Sequence, residues 1–237
     1  MNDILESKFL YAGLMFLSLA YPLAQSFEWR IQYFKKWKYL FIGIAAMLIL
    51  FIPWDIYFTM KGIWWFNEKY ILGTKIFSLP IEEWLFFLII PFACIFIYEV
   101  LNYFIKKDVL KLVARPFYAI SAILLMILAF MYSDRLYTLI TFGLTSLSLI
   151  LLVVMNPVWR GRFLLMFVVS LIPFLLINGV LTGSFISEAV VNYNPTAITG
   201  FRINTIPVED SVYSFLMLLI VVTIYEWRKN QPSVERT

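Results

Sequence analysis

The chain has 237 residues, of which 62% are hydrophobic and 14% charged, with a mean hydropathy of +0.84; this lies far above an ordinary globular domain and reads as an integral membrane protein. It contains no histidine, one cysteine and nine glycines. That excludes histidine-based triads and metal sites and an intrachain disulfide, and the glycines form neither G-x-G-x-x-G nor G-x-x-x-x-G-K-S/T, so no nucleotide fold is indicated. The net charge of +4 is scattered over short loops, a membrane-topology signal rather than a nucleic-acid footprint.

In chain order, the leading residues MNDILESK carry acids and lack the basic start and small-residue cleavage site of a secretory signal. The first apolar stretch, about 8–26, is therefore expected to stay in the mature protein. Further stretches near the roughly 20 residues needed to span a bilayer lie at about 37–58, 81–105, 112–132, 135–155, 162–182 and 208–227. Asp55 sits near the end of the second stretch, and the aromatic run Trp64, Trp65, Phe66 follows it. The lone Cys94, inside the third, reads as a small buried hydrophobe.

The segment LGTKIFSLPIEE (Leu72 to Glu83) recurs 127 positions later as TGFRINTIPVED (Thr199 to Asp210), and Tyr98-Glu99 recurs as Tyr225-Glu226 at the same offset. A fixed offset over so many identities marks an internal duplication. It lays the fifth, sixth and seventh stretches on the first, second and third and leaves the fourth unmatched. Three spans per copy would invert the second copy, and one extra span restores its direction. The expected fold is therefore all-α: seven transmembrane helices as two parallel three-helix repeats, residues 1–110 and 134–237, joined by a linker helix at 111–133.

Loop charge supplies an orientation. Arg30, Lys35, Lys36 and Lys38, then Lys106, Lys107, Lys111 and Arg115, then Arg160 and Arg162, then Arg228, Lys229 and Arg236 make up most of the 19 cations and fall on one face. The positive-inside rule makes that face cytoplasmic. The amino terminus is then outside, the carboxyl terminus inside, and both Pro-x-Glu motifs are extracytoplasmic, in a cell inner membrane.

Proline followed by acids is also an ordinary helix start, favoured by the macrodipole by about 0.3–1 kcal/mol. A cap needs only one acid, however, and each copy places two at a membrane boundary: Glu82 with Glu83, and Glu209 with Asp210. Two like charges in a poorly solvated place do not both ionise cheaply, so one acid of each pair is expected to keep its proton. A neutral carboxylic acid beside an apolar chamber suits protonation of an olefin or another weak base. Asp55 and its counterpart Asn178 are candidates to face those acids, or are polar helix ends reaching interfacial water. Trp64, Trp65 and Phe66 are candidates to line a pocket and stabilise a cation, or form an interfacial belt. Asn67, Lys75, Arg202 and Tyr213 complete the candidate substrate-facing set. Glu99 and Glu226 lie about 25 Å further along their helices and read as structural.

The duplicated P-I/V-E-E/D, the Asp-x-x-x-Thr element at Asp55 to Thr59, the run Gly62-Ile63-Trp64-Trp65-Phe66-Asn67 and the three-span repeat resemble the small membrane lycopene cyclases over nearly the whole chain. That resemblance implies redox-neutral cyclisation of linear carotene ends to β-ionone rings without metal or other cofactor. It implies Glu82 or Glu209 as proton donor, Glu83 or Asp210 poising it, and Asp55 or a member of the other pair assisting deprotonation. The implied partners are lycopene or a related linear carotene, membrane lipid, and other carotenoid enzymes or a second copy. The family shares its architecture with intramembrane prenyltransferases, an alternative that needs a carboxylate cluster for magnesium and diphosphate. Here Asp55 is followed by Ile56, Tyr57 and Phe58, and Asn178 by Gly179, Val180 and Leu181. A non-catalytic carrier of lipophiles is the other alternative.

Overall fold

A computed structural model describes residues 6–231. The leading tract up to Leu5 and the basic Arg236 lie outside the described residues. Seven helices account for the apolar stretches: α1 (Leu10–Gln25), α2 (Trp37–Met60), α3 (Ile81–Phe104), α4 (Lys111–Met131), α5 (Leu136–Met155), α6 (Arg160–Leu181) and α7 (Val208–Lys229). Their limits agree with the hydropathy reading to within a few residues. Six of them, α2 to α7, are long and apolar enough to cross a membrane, and α1 is a shorter apolar helix. Its sixteen residues rise about 24 Å, short of the roughly 30 Å hydrocarbon core. Of the seven expected helices, six are thus long enough to span and one is a shorter apolar helix, a set compatible with an integral membrane protein.

The helices pack by exchange between the copies. Helix α1 lies against α3, and α5, its counterpart, against α7; α2 crosses to α7, whereas α6 crosses to α3. The third helices of the two copies touch each other and carry much of the core, including Phe87, Ile95, Leu216, Met217 and Val221. Helix α4 packs on α5 and α6 and turns Leu112, Ile120 and Phe130 outward. The α2–α7 crossing is close because Gly43 has no side chain: a Cβ there would meet the Val221 carbonyl oxygen at 2.8 Å.

Each copy has a tight hairpin before its third helix: β2 (Lys75–Ile76) with β3 (Leu79–Pro80), and β5 (Arg202–Ile203) with β6 (Ile206–Pro207). Gly73 and Gly200 enter the two hairpins at φ of 88° and 86°, a region that costs other residues strain. The long loops also pair with each other. Strand β1 (Trp64–Phe66) runs antiparallel to β4 (Val191–Tyr193), with Trp64 opposite Tyr193. This ribbon closes the hairpin end of the bundle. Beside it, Glu6 accepts hydrogen bonds from Lys69, from Tyr70 Oη at 2.7 Å and from the Ser187 backbone N–H and hydroxyl, both at 2.7 Å.

The opposite end is held by a reciprocal pair. Tyr98 donates to Glu226 at 3.0 Å and Tyr225 to Glu99 at 2.6 Å. Lys36 and Lys229 both pair with the buried Glu99. These duplicated residues tie α3 to α7, the structural part expected of them.

Two stability measurements follow. Gly43→Ala pushes α2 off the α7 backbone and should cost about 1–3 kcal/mol, seen as a drop of several degrees in thermal melting of the purified protein; Gly13→Ala, with nothing within 4 Å of the new Cβ, should leave melting unchanged. Hydrogen bonds from Lys69, Ser187 and Tyr70 lower the Glu6 carboxyl from 4.5 to about 2. Because the folded value is depressed, the clasp's stabilisation is complete above about pH 4.5 and is lost as pH falls toward 2. Melting curves across that window should show a sag that Glu6→Gln removes.

Candidate active site

Adjacent residues on a helix point about 100° apart, so the two acids of each motif cannot face the same place. Glu82 turns back into its hairpin and accepts the Leu72 N–H at 2.7 Å. Glu209 does the same with the Thr199 N–H at 2.6 Å, and also accepts from the Thr138 hydroxyl at 2.6 Å. The first acid of each copy thereby ties the hairpin to the first turn of its helix. Both are fully buried, and one oxygen of each, Glu82 Oε2 and Glu209 Oε2, has no hydrogen-bond partner.

The second acids, Glu83 and Asp210, reach one shared cavity of about 60 Å³ at the centre of the hairpin end. Asp55 and Asn178 line it as well, with the aromatic rings of Trp64, Phe66, Tyr137, Tyr193 and Tyr213. The two acids meet different surroundings. Asp210 accepts three hydrogen bonds, from Tyr137 Oη at 2.9 Å, Tyr193 Oη at 2.7 Å and Asn178 Nδ2 at 3.0 Å. Glu83 accepts one, from Tyr11 Oη at 2.6 Å, and shares the cavity with Asp55. Asp55 accepts Trp64 Nε1 at 2.7 Å, and its other oxygen is buried without a partner. Trp64 Nε1 also reaches the Thr59 hydroxyl at 3.0 Å, which gives the Asp-x-x-x-Thr element a physical meaning: one helical turn supplies both acceptors for the indole.

The rings form a continuous cage. Trp64 meets Tyr137 edge-on with centroids 5.0 Å apart, Tyr137 stacks on Tyr193 at 6.1 Å, and Tyr213 packs on Phe51 at 4.8 Å and Trp54 at 5.1 Å. Burial pushes the Tyr193 hydroxyl well above the usual tyrosine range, and the neighbouring Asp210 adds to the effect. This phenol stays a donor to Asp210.

The structure thus gathers Asp55, Glu83, Asn178, Asp210, Trp64, Phe66 and Tyr213 and leaves out the other candidates. Strand alternation turns Trp65 outward, 47% exposed. Asn67 caps the short turn Glu68–Tyr70 and bonds Glu188 at 2.7 Å. Lys75 pairs with the exposed Glu68, and Arg202 donates to the Thr205 carbonyl; neither borders the cavity. No sequence motif marks Tyr11, Tyr137 or Tyr193.

A family model described as lycopene cyclase matches residues 8–101 and 134–228. Proteins of two Halobacterium salinarum strains, each named lycopene beta-cyclase, are 38% identical over 48 residues, which is 19% of this chain and 20% of theirs. The match therefore spans about a fifth of those relatives' length. No solved structure matches the chain. The family match takes in most of the chain and both acid motifs, and the chain belongs to the lycopene cyclase family.

Proposed function

We propose that this protein is a lycopene β-cyclase, an isomerase that closes β-ionone rings on a linear carotene by passing one proton in and one out. The observation that carries the reading is the unlike hydrogen bonding of Glu83 and Asp210 across one aromatic cavity. Three donors favour the charged form of Asp210. Glu83 and Asp55, two neighbouring acids with few donors, keep a proton between them for the same reason that any close carboxyl pair does. Glu83 is then the acid and Asp210 the base.

In this scheme Glu83 protonates the terminal olefin of the carotene to give a tertiary carbocation. The neighbouring double bond attacks it, forming the ring bond and moving the positive charge into the ring. Asp210 removes a ring proton and restores a double bond, so the product is an isomer of the substrate. Exchange with solvent returns the proton from Asp210 to Glu83. The faces of Trp64, Tyr137, Tyr193 and Tyr213 stabilise the passing cation, and the tight cage keeps nucleophilic water from it. Glu82 and Glu209 become positioning residues, which revises the roles expected of them.

The same proposal takes the chain as two parallel three-helix repeats, 1–110 and 134–237, with α4 in a linker at 111–133, and α1 completing a seventh span. The exchange packing of the two copies supports it, as does the gap between the two matched stretches of the family model. This is an arrangement of the kind found in intramembrane prenyltransferases. The basic loops set the amino terminus and the acids outside the cytoplasm, in a cell inner membrane, with lycopene or a related carotene and lipid as partners.

Purified protein should convert lycopene to ring-bearing product of unchanged mass, with one deuterium gained per ring in D₂O; a product without that label would sink the proton-in, proton-out scheme. Glu83→Gln and Asp210→Asn should each lower turnover by about 10²–10⁴-fold while melting stays near wild type. Glu82→Gln keeps an oxygen to accept the Leu72 N–H and should retain at least tenfold more activity than Glu83→Gln. Equal losses would return the donor role to Glu82.

A further inference from the structure

The acid cavity has room for a few waters at most, so the end of a carotene reaches the acids only through one of its walls. One wall is shared with a much larger space. Phe86, Phe174, Asn178 and Ser214 border both the acid cavity and an apolar cavity of about 410 Å³ between α1, α3, α6 and α7. The larger cavity follows α3 from Phe86 to Ile97 and α6 from Asn178 back to Phe167. Twelve residues of helix, eleven rises, give it a length of about 16 Å.

Its walls are built for hydrocarbon. Two of their hydroxyls have partners: Ser18 bonds the Leu14 carbonyl at 2.8 Å, and Ser170 bonds Met166 Sδ at 3.4 Å. Its outer rim is open to the surroundings of the bundle, with Leu17 66%, Tyr21 67% and Leu176 64% exposed. Since α1 and α6 belong to the apolar bundle, those surroundings are lipid chains.

We infer that this groove is the lateral gate and chain seat of the enzyme: a linear polyene enters from the bilayer between α1 and α6 and lies along α3. One end passes the Phe86–Phe174 partition to reach Glu83 and Asp210. The inference rests on the cyclase reading and adds a direction of entry and a rule, that one end reacts while the rest of the chain stays in the groove. It also makes Ala93 on α3 and Ser170 on α6 determinants of substrate fit rather than of chemistry.

The single cysteine of the chain, Cys94, lines this groove and serves as a built-in reporter. Purified wild-type protein in phospholipid nanodiscs is treated with N-ethylmaleimide, with and without lycopene, alongside Glu83→Gln. Lycopene should slow Cys94 labelling at least fivefold in both proteins, since the seat does not depend on chemistry, and labelled protein should lose turnover. Ala93→Phe and Ser170→Phe, from two lining helices, should raise the KM for lycopene at least tenfold more than they lower kcat, with unchanged melting showing that they fold. Conversion of lycopene by the wild type, with Cys94 unprotected and the two Phe variants unimpaired, overturns the groove and leaves the cyclase reading standing. Protection of Cys94 by phospholipid alone, equal to that by lycopene, makes the groove an acyl-chain seat and overturns it too. Failure of the wild type to convert lycopene overturns the reading beneath it.

Discussion

An acid buried at the end of an apolar bundle has to be neutral or hydrogen-bonded, and most of the architecture at the hairpin end answers that constraint. Five carboxyl groups, Asp55, Glu82, Glu83, Glu209 and Asp210, meet there within or beside a bundle core. The two hairpins supply backbone N–H groups to Glu82 and Glu209. The first helices supply Tyr11, Tyr137 and Thr138. The paired loops bring Trp64 onto Asp55 and Tyr193 onto Asp210. The β1–β4 ribbon does two jobs at once: it shuts the bundle end and carries two of the donors.

The repeated segments share a frame, and the surroundings of their second acids differ. Both hairpins, both glycine turns and both first acids keep the same geometry at a fixed offset, because each must close the same entry to a helix. The residues facing the second acids differ: an acid, Asp55, stands near Glu83, whereas an amide, Asn178, serves Asp210. In the proposed scheme, Glu83 as proton donor and Asp210 as proton acceptor require opposite surroundings, which two identical copies would not provide. At the far end nothing needs to differ, and Tyr98-Glu226 and Tyr225-Glu99 remain mirror partners.

Much of this was legible in the residues, for definite reasons. Long apolar runs have one stable form in a bilayer, so helix number and limits followed from hydropathy, and only the short α1 fell below full length. The repeat located the acids because both copies kept them. The tyrosines escaped notice because a single phenol at the mouth of an apolar helix carries no motif. The β1–β4 ribbon escaped because three-residue strands show no periodicity and their partner lies more than a hundred residues away. The Trp64-Trp65-Phe66 run looked like one aromatic unit until strand pairing sent Trp65 to the other face.

The sequence by itself determined a duplicated apolar helical bundle with acid pairs at a helix start, since hydropathy, repetition and charge placement are local properties of the chain. Only the tertiary structure decided which acid of each pair enters the cavity, how many donors each meets and where an apolar groove joins it. Those depend on the angle at which a helix presents its side chains and on residues that are neighbours in space but not in sequence. The acid pair at Pro80 is one motif along the chain and two separate parts in three dimensions, because two successive residues of a helix point in different directions.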